Sequence, residues 1–161
     1  MTASPHLAVF DIDGVLADVR HRVHYLEQRP KNWADFFGKI LDDPPLADGV
    51  TLAGQLADDH DVAYFTGRPE WTRAATERWL RRHELPAGEV FMRSSFDRRP
   101  ARLVKPALLR QLARNRKVTL VVDDDRLVCD VLIRDGWPVR HADWMPTASA
   151  LDAAQERDGR T

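Results

Sequence analysis

Two aspartates with one residue between them follow a short apolar run near the start of the chain. Residues 6–10 are mostly apolar, and Asp11, Asp13 and Gly14 come directly after them. Side chains at positions i and i+2 of an extended segment point the same way, so both carboxylates can address one ligand. Gly14 lets the backbone turn tightly beside a phosphate. The pattern indicates a ligand site at a strand end, although Asp beside Gly is also common in ordinary turns.

Polar groups suited to the same ligand recur at three later points of the chain. They are Thr66, Gly67 and Arg68, then Lys105, then Asp123 and Asp124. Hydroxyl, guanidinium and ammonium groups suit phosphate oxygens. Four carboxylates at one place would repel each other without a cation, and Mg²⁺ suits a phosphate-bearing substrate. Taken singly, these segments also fit a loop, a solvated lysine and a helix N-cap, but their order favours a common site.

Apolar strands must position these groups. The candidate strands are residues 6–12, 61–66, 89–92, 117–122 and 138–142. Their apolar runs are continuous rather than alternating, which is typical of parallel strands that are covered on both faces. Helical patterns lie between them, at residues 48–59, 71–83 and 106–114, with Pro106 at a helix-opening position. The alternation predicts an α/β fold, a three-layer doubly wound parallel sheet, whose strands deliver the polar groups to one edge.

The stretch of residues 17–47 interrupts this alternation. It is too long for a simple strand-to-helix loop, so we predict a small cap insertion after the first strand, within a single domain of residues 1–161. Arg20 and Arg22 are candidates for binding a substrate phosphate. Tyr25 and Trp33 could stack on a base, or they could form a small core with Leu26, Phe36 and Phe37.

The bulk composition excludes several classes of protein. A formal net charge of −1 argues against coating nucleic acid through bulk positive charge, although basic residues cluster locally, for example within residues 93–102. The single cysteine, Cys129, excludes an internal disulfide and a cysteine-built zinc site. Residues 1–5 do not resemble a signal sequence and no apolar run is long enough for a membrane span, so a cytoplasmic protein is expected. Residues from about 148 onward are expected to be a frayed tail.

In this order the segments resemble the four motifs of the haloacid dehalogenase superfamily, which implies a Rossmannoid fold. The matching segments are residues 9–16, residues 65–68, Lys105 and residues 122–125. Within the superfamily, the chain is similar to the 3′-phosphatase domain of phage-type polynucleotide kinase/phosphatase, through residues 16–25, 33–37, 66–70, 79–80, 92–93 and 104–105. Two features depart from that pattern: no acidic residue shortly precedes Lys105, and Asp125 stands where arginine is usual. No kinase phosphate-binding loop is present.

The resemblance implies a role for each candidate residue. Asp11 would be the nucleophile that forms an aspartyl-phosphate, and Asp13 would act as acid and then as base. Thr66 and Lys105 would hold the transferring phosphoryl oxygens. Mg²⁺ would be bound by Asp11, Asp13 (through its backbone carbonyl), Asp123 and Asp124. Gly67 and Arg68, with Arg20 or Arg22, would contact the substrate.

The expected activity is therefore Mg²⁺-dependent hydrolysis of a phosphate monoester, on nucleotides or on nucleic-acid 3′-phosphate ends. Two alternatives stay open at this point. The substrate could be another small phosphorylated metabolite, which the near-neutral charge and the missing acidic residue before Lys105 favour. The chain could also be a non-catalytic phosphate-binding or interaction module; Asp11, Asp13 and Lys105, which such a module can lose, are all present.

Overall fold

A computed structural model describes residues 6–161. The expectation about residues 1–5 lies outside this range. The chain forms a five-stranded sheet in which every neighbouring pair is parallel. The strands are β1 (His6–Phe10), β2 (Asp61–Pro69), β3 (Val90–Arg93), β4 (Lys117–Asp123) and β5 (Val139–His141). The predicted α/β fold with a parallel sheet is confirmed.

The sheet order is β3-β2-β1-β4-β5. The chain thus builds outward from β1 to β3, then returns to the other side of β1 for β4 and β5. Val9 of β1 is paired with Ala63 of β2 on one side and with Val121 of β4 on the other. The carboxyl ends of these three strands are therefore neighbours at the point where the strand order reverses, which is where doubly wound sheets bind ligands.

Within residues 6–161, seven α-helices accompany the strands. They are α1 (His24–Glu27), α2 (Trp33–Gly38), α3 (Ala47–Leu56), α4 (Arg73–Arg82), α5 (Ala101–Leu112), α6 (Arg126–Arg134) and α7 (Ser149–Glu156). Short 3₁₀ turns lie at Arg20–Arg22, Ile40–Asp42 and Glu70–Thr72. No described helix is long and apolar enough to cross a membrane.

Alternate residues of β1 face two separate cores. Ala8 and Phe10 pack in a cluster with residues of α3, α4 and α7, including Ala53, Trp79 and Leu151. Leu7 and Val9 pack in a second cluster with residues of α5 and α6, including Leu109 and Leu132. Successive side chains of a strand point to opposite faces of the sheet, and helices cover both faces here. The three predicted layers follow from it.

The helix that carries Lys105 begins earlier than predicted. The sequence pattern placed its start at Pro106, and this was wrong, because α5 begins at Ala101 and Pro106 lies inside it. Pro100 precedes the helix, while Ala101 and Val104 are buried and anchor its first turn. Pro106 lacks the N–H that would bond to the carbonyl four residues earlier, a loss that the packing of this turn outweighs. Lys105 therefore projects from within a helix rather than from the loop before it.

The stretch after β1 folds as a set of short helices. Its base is closed by two backbone hydrogen bonds, from Asp18 N to the Pro44 carbonyl at 2.8 Å and from Leu46 N to the Leu16 carbonyl at 2.8 Å. Leu26, Phe36, Phe37 and Ile40 are buried inside it. The Phe36 and Phe37 rings lie 5.0 Å apart, and Trp33 stacks on Phe37 at 6.1 Å. The aromatic residues thus pack as core residues, but they join the cluster that contains Phe10 and do not form a separate core.

The C-terminal residues are ordered against the domain, and the expectation of a frayed tail was wrong. Leu151 and Ala154 are buried on the first face of the sheet. Their spacing of three residues puts them on one side of α7, a pattern that the surrounding small and polar residues obscure. The chain then runs back toward the sheet edge, where Thr161 is buried.

Candidate active site

Three aspartates from two neighbouring strands converge at the carboxyl edge of the sheet. Asp11 follows β1, while Asp123 ends β4 and Asp124 comes next. Carboxylate oxygens of all three lie within 4.8 Å of one another. Asp11 Oδ1 accepts a hydrogen bond from the Ile12 amide at 2.8 Å, but Asp11 Oδ2 and Asp124 Oδ1 are buried without a hydrogen-bond partner among residues 6–161. Buried oxygens of this kind fit the preference of a hard divalent cation for oxygen ligands.

Lys105 faces this cluster from α5. Its Nζ donates to Asp123 Oδ2 at 2.6 Å and forms an ion pair with Asp11 Oδ2 at 3.0 Å. It also lies 5.2 Å from the centroid of the Phe65 ring. Burial opposes the charge on Lys105, but Asp11 and Asp123 outweigh it and raise the pKa of the lysine well above its usual value. Lys105 is therefore held as a cation beside the predicted nucleophile.

One lysine does not balance three carboxylates. Burial raises the pKa of Asp11 well above its usual value, although Lys105 opposes this shift. Burial and the charge of Asp11 raise the pKa of Asp123 to about 8, while burial and the charge of Asp123 raise the pKa of Asp124 to about 7. Carboxylates shifted in this direction are stabilised in the charged form when a cation joins them. The residues present therefore fit a bound divalent metal.

Asp13 faces a second, separate set of charges. Its Oδ1 accepts from Arg68 Nε at 2.9 Å and Nη2 at 2.5 Å, and from Arg22 Nη2 at 3.4 Å. Its Oδ2 accepts from the Thr161 hydroxyl at 3.3 Å. Burial opposes ionisation of Asp13, but Arg68 and Arg22 outweigh it, and the pKa of Asp13 is lowered. The two aspartates of the first motif therefore have different environments, although they stand two residues apart.

Asp43 completes the set around Asp13, and the sequence analysis missed it. Its side chain is fully buried and accepts from Arg22 Nε at 2.8 Å and from Arg68 Nη2 at 3.1 Å. His21 Nε2 lies 2.6 Å from its Oδ1. Nothing in the sequence separates Asp43 from its exposed neighbour Asp42, because the partners of Asp43 are 21 and 25 residues away. We call Asp13, Arg22, Asp43 and Arg68 the charge cluster.

The second motif, residues 65–68, is held by a hydrogen bond between two of its own residues and by contacts with Arg93 and the C-terminal residues. Thr66 Oγ1 accepts from the Arg68 amide at 3.1 Å, at the end of β2 where the register against β3 shifts. The carbonyl of Gly67 accepts from Arg93 Nε at 2.9 Å. A side chain at position 67 would collide with the backbone of Thr161, so only glycine lets the C-terminal residues approach this closely.

Most of the predicted site residues come together, but not all of them. Arg20 is exposed and binds Asp18 through Nε at 2.9 Å and Nη2 at 2.6 Å, apart from both groups of charges. Arg22 is fully buried in the charge cluster. Asp125 caps α6, because its Oδ1 accepts from the Leu127 amide at 2.9 Å. The helix-cap interpretation of the acidic run therefore holds for Asp125, while Asp123 and Asp124 lie beside Asp11.

Comparison with known families and structures gives a consistent result. Residues 5–142 match the family described as the polynucleotide kinase PNKP phosphatase domain. Comparison with curated proteins gave no significant match.

Three solved structures have a similar fold. A chain of the Pnkp1/Rnl/Hen1 complex is 21% identical with a TM-score of 0.73, covering 91% of this chain and 49% of that one. A chain of the Pnkp1/Rnl/Hen1 RNA repair complex is 21% identical with a TM-score of 0.74, covering 91% and 45%. The protein thus spans about half the length of these two chains. A haloacid dehalogenase-like family hydrolase from Streptococcus pneumoniae is 14% identical with a TM-score of 0.62, covering 95% and 90%.

Proposed function

Because the chain belongs to the polynucleotide kinase PNKP phosphatase domain family and is a phosphatase of the haloacid dehalogenase type, we propose that it hydrolyses phosphate monoesters with Mg²⁺ through an aspartyl-phosphate on Asp11. The substrates we propose are nucleotides or nucleic-acid 3′-phosphate ends. The observation that carries the proposal is Asp11 Oδ2, a buried carboxylate oxygen 3.0 Å from Lys105 Nζ and without a hydrogen-bond partner among residues 6–161. An oxygen that is engaged by an ion pair with Lys105, but by no hydrogen bond from residues 6–161, is available to attack phosphorus.

In the first step, Asp11 forms a bond to phosphorus and the ester P–O bond breaks. The electron pair goes to the leaving oxygen, which takes a proton from Asp13. The arginines of the charge cluster oppose protonation of Asp13. When Arg68 turns to a substrate phosphate oxygen, its hold on Asp13 weakens and the pKa of Asp13 rises toward the value an acid needs.

In the second step, water attacks the phosphorus of the aspartyl-phosphate and gives its proton to Asp13. The bond between Asp11 and phosphorus breaks, which restores the carboxylate and releases inorganic phosphate. Lys105 and Thr66 hold the phosphoryl oxygens, where the ammonium offsets the negative charge of the transition state. The two guanidiniums keep Asp13 ionised, so its carboxylate is free to accept this proton.

The metal site proposed for Mg²⁺ consists of the side chains of Asp11, Asp123 and Asp124 with the backbone carbonyl of Asp13. A bound Mg²⁺ would neutralise charge on the carboxylates and on the phosphoryl oxygens. We further propose that residues 17–47 are a small cap of the single domain 1–161. The cap brings Arg22 and Asp43 to Asp13, which gives it a part in the site.

Family membership supports the proposed substrate, a nucleotide or a nucleic-acid end, since the matching family is named for a polynucleotide kinase. One structurally similar chain comes from an assembly described as an RNA repair complex. The alternative substrate is another small phosphorylated metabolite. A comparison of the turnover of mononucleotide, oligonucleotide and aryl phosphate substrates tests between the two.

Substitution of the nucleophile tests the mechanism. We expect Asp11→Asn to lower kcat by about three orders of magnitude or more, because an amide cannot form the aspartyl-phosphate. The measurement is steady-state turnover of an aryl phosphate and of 3′-phosphorylated nucleotides with Mg²⁺. The matched control is Asp42→Asn, at an exposed position outside the site. Full turnover by folded Asp11→Asn would displace Asp11 as the nucleophile.

A further inference from the structure

A basic and aromatic groove lies beside the proposed active site. Its cavity of about 520 Å³ is formed by the cap, by the loop after β3 and by the C-terminal residues. Its lining residues are Pro30, Lys31, Trp33, Arg98, Asp158 and Arg160. We call this surface the cap–loop groove. None of its residues belongs to the four motifs or to the charge cluster.

Two arginines in the cap–loop groove have no carboxylate partner within residues 6–161. Arg98 is exposed, and its guanidinium donates to the carbonyl of Ser95 at 2.7 Å. Arg160 lies with its Cζ 4.9 Å from the centroid of the Trp33 ring. Lys31, in contrast, is paired with Asp158. Burial and the nearby charge of Arg98 lower the pKa of Arg160, so the two arginines repel each other in the absence of an anion. This favours an anionic occupant.

Aromatic side chains continue from the groove across the surface. Trp33 stacks on Phe37, whose ring meets Trp71 edge-on at 5.3 Å. The amide of Trp71 donates to Ser95 Oγ at 3.0 Å, which joins this aromatic row to the loop that carries Phe96 and Arg98. Trp71 is 60% exposed and Phe96 is 91% exposed. Phe96 does not line the groove but lies two residues before Arg98, which does. Exposed rings near cations that have no carboxylate partner within residues 6–161 are a combination that binds single-stranded nucleic acid, because any base can stack on an aromatic face.

One residue of the cap–loop groove is the chain neighbour of a residue that contacts Asp13. Arg160 is followed by Thr161, whose hydroxyl donates to Asp13 Oδ2 at 3.3 Å. Arg93 fixes this junction, since it donates to the carbonyls of Gly67 at 2.9 Å, Arg99 at 2.6 Å and Thr161 at 3.4 Å. Arg160 of the groove is therefore bonded to a residue that directly contacts the residue we propose as the acid–base group.

We propose that the cap–loop groove binds the single-stranded segment that leads to a phosphorylated nucleic-acid end. Arg98 and Arg160 bind its backbone phosphates, while Trp71 and Phe96 offer faces for its bases. The inference rests on the proposed function for the position of the terminal phosphate, but strand binding can be measured without turnover. A phosphate backbone fits better than an acidic protein because the exposed ring of Phe96 lies two residues from Arg98 on the same loop, so a base and a phosphate can be bound close together.

The test combines strand binding with turnover. Fluorescence anisotropy measures binding of an unphosphorylated single strand of about 12 nucleotides, as DNA and as RNA, to the full chain and to its Asp11→Asn variant. Turnover is compared for an aryl phosphate, a 3′-mononucleotide and the 3′-phosphorylated strand. The test variants are Arg98→Ala, in the groove, and Phe96→Ser, at the exposed ring on the same loop. The matched control is Arg114→Ala, an exposed arginine that precedes β4 and so lies at the opposite edge of the sheet from the site.

We expect the strand to be a better substrate than the mononucleotide by about tenfold in kcat/KM. Arg98→Ala should reduce the slope of log binding constant against log salt by about 1, and Phe96→Ser should weaken strand binding by about fivefold. Arg114→Ala should change neither quantity. A preference for DNA or for RNA identifies the natural strand, and either supports the groove.

Three outcomes separate this inference from the proposed function. Turnover without any advantage of the strand over the mononucleotide would overturn the groove and leave the phosphatase intact. If strand binding weakens equally in Arg98→Ala and Arg114→Ala, the overall charge of the protein explains the binding. This outcome would also overturn the proposal that the groove binds the strand. Strand binding that depends on Arg98 and Phe96, with no turnover of any substrate, would support the groove and remove the proposed function.

Discussion

At the scale of single residues, the charge cluster shows why two aspartates two positions apart can do different work. Asp11 is near one lysine and two further carboxylates, which leaves an excess of negative charge. Asp13 and Asp43 share two buried guanidiniums, which balances them. These two environments fit the roles we propose, which are nucleophile beside a cation site for Asp11 and acid–base group for Asp13.

Removal of the charge on Asp43 should destabilise the protein strongly. Asp43→Asn leaves Arg22 and Arg68 buried with one carboxylate between them, and breaking a buried ion pair costs about 3–5 kcal/mol. Urea unfolding followed by circular dichroism measures this free energy, with Asp42→Asn as the exposed control. Equal stability of the two variants would show that Asp43 does not hold the arginines. Turnover should fall as well, because Arg68 loses the partner that positions it.

Gly14 should resist substitution for a local reason. Its φ is 78°, in the left-handed region, and a Cβ at this position would collide with the carboxylate of Asp124. We expect Gly14→Ala to lower kcat/KM by about tenfold or more, because Asp124 must move away from Asp11. Gly54→Ala is the control, since a Cβ there meets nothing within 4 Å. Inside α3 that change should stabilise the protein by about 0.5–1 kcal/mol. Wild-type activity of Gly14→Ala would contradict this account.

At the scale of elements, two helices place their residues where local sequence signals do not. In α5, burial of Ala101 and Val104 starts the helix before Pro106 and brings Lys105 to Asp123. In α7, an apolar stripe of only a few residues fixes the end of the chain on the sheet. Packing, rather than propensity, decides where both helices begin.

The C-terminal helix should contribute to the stability of the whole domain. Leu151 is 3% exposed, so Leu151→Ala creates a cavity and should cost about 2–5 kcal/mol in the free energy of unfolding. Ile133→Ala, at a position on α6 that is 59% exposed, should cost much less. Chemical denaturation measures both. A negligible effect of Leu151→Ala would mean that α7 detaches in solution.

At the scale of the whole molecule, the sheet order concentrates charge. Because β1 lies between β2 and β4, the residues after three strands meet at one edge, and each strand end contributes a polar group. The net charge of −1 does not reveal this arrangement. Acidic residues gather at the strand ends, while arginines without a carboxylate partner in residues 6–161 lie in the cap–loop groove. An average over the chain therefore says little about what the surface binds.

Addition of Mg²⁺ should stabilise the folded protein. A ligand that binds only the folded state adds about 2.7 kcal/mol at a concentration 100 times its Kd, and here it also relieves repulsion among Asp11, Asp123 and Asp124. The thermal midpoint should rise with MgCl₂ and return after chelation, while NaCl of equal ionic strength should not reproduce the rise. In Asp124→Asn the rise should shrink. An undiminished rise in that variant would place the cation elsewhere.

The sequence alone determined the strands, the α/β class and most of the residues at the strand ends. Apolar runs and the i, i+2 spacing are local properties, and a parallel sheet brings its carboxyl ends together whatever the details of packing. Tertiary structure decided the rest: that Arg22 is buried while Arg20 is not, that Asp43 joins Arg22 and Arg68, and that Thr161 reaches Asp13. Each of these depends on contacts between residues far apart in the chain, where the free energy of burying a charge selects its partner and no local pattern records the choice.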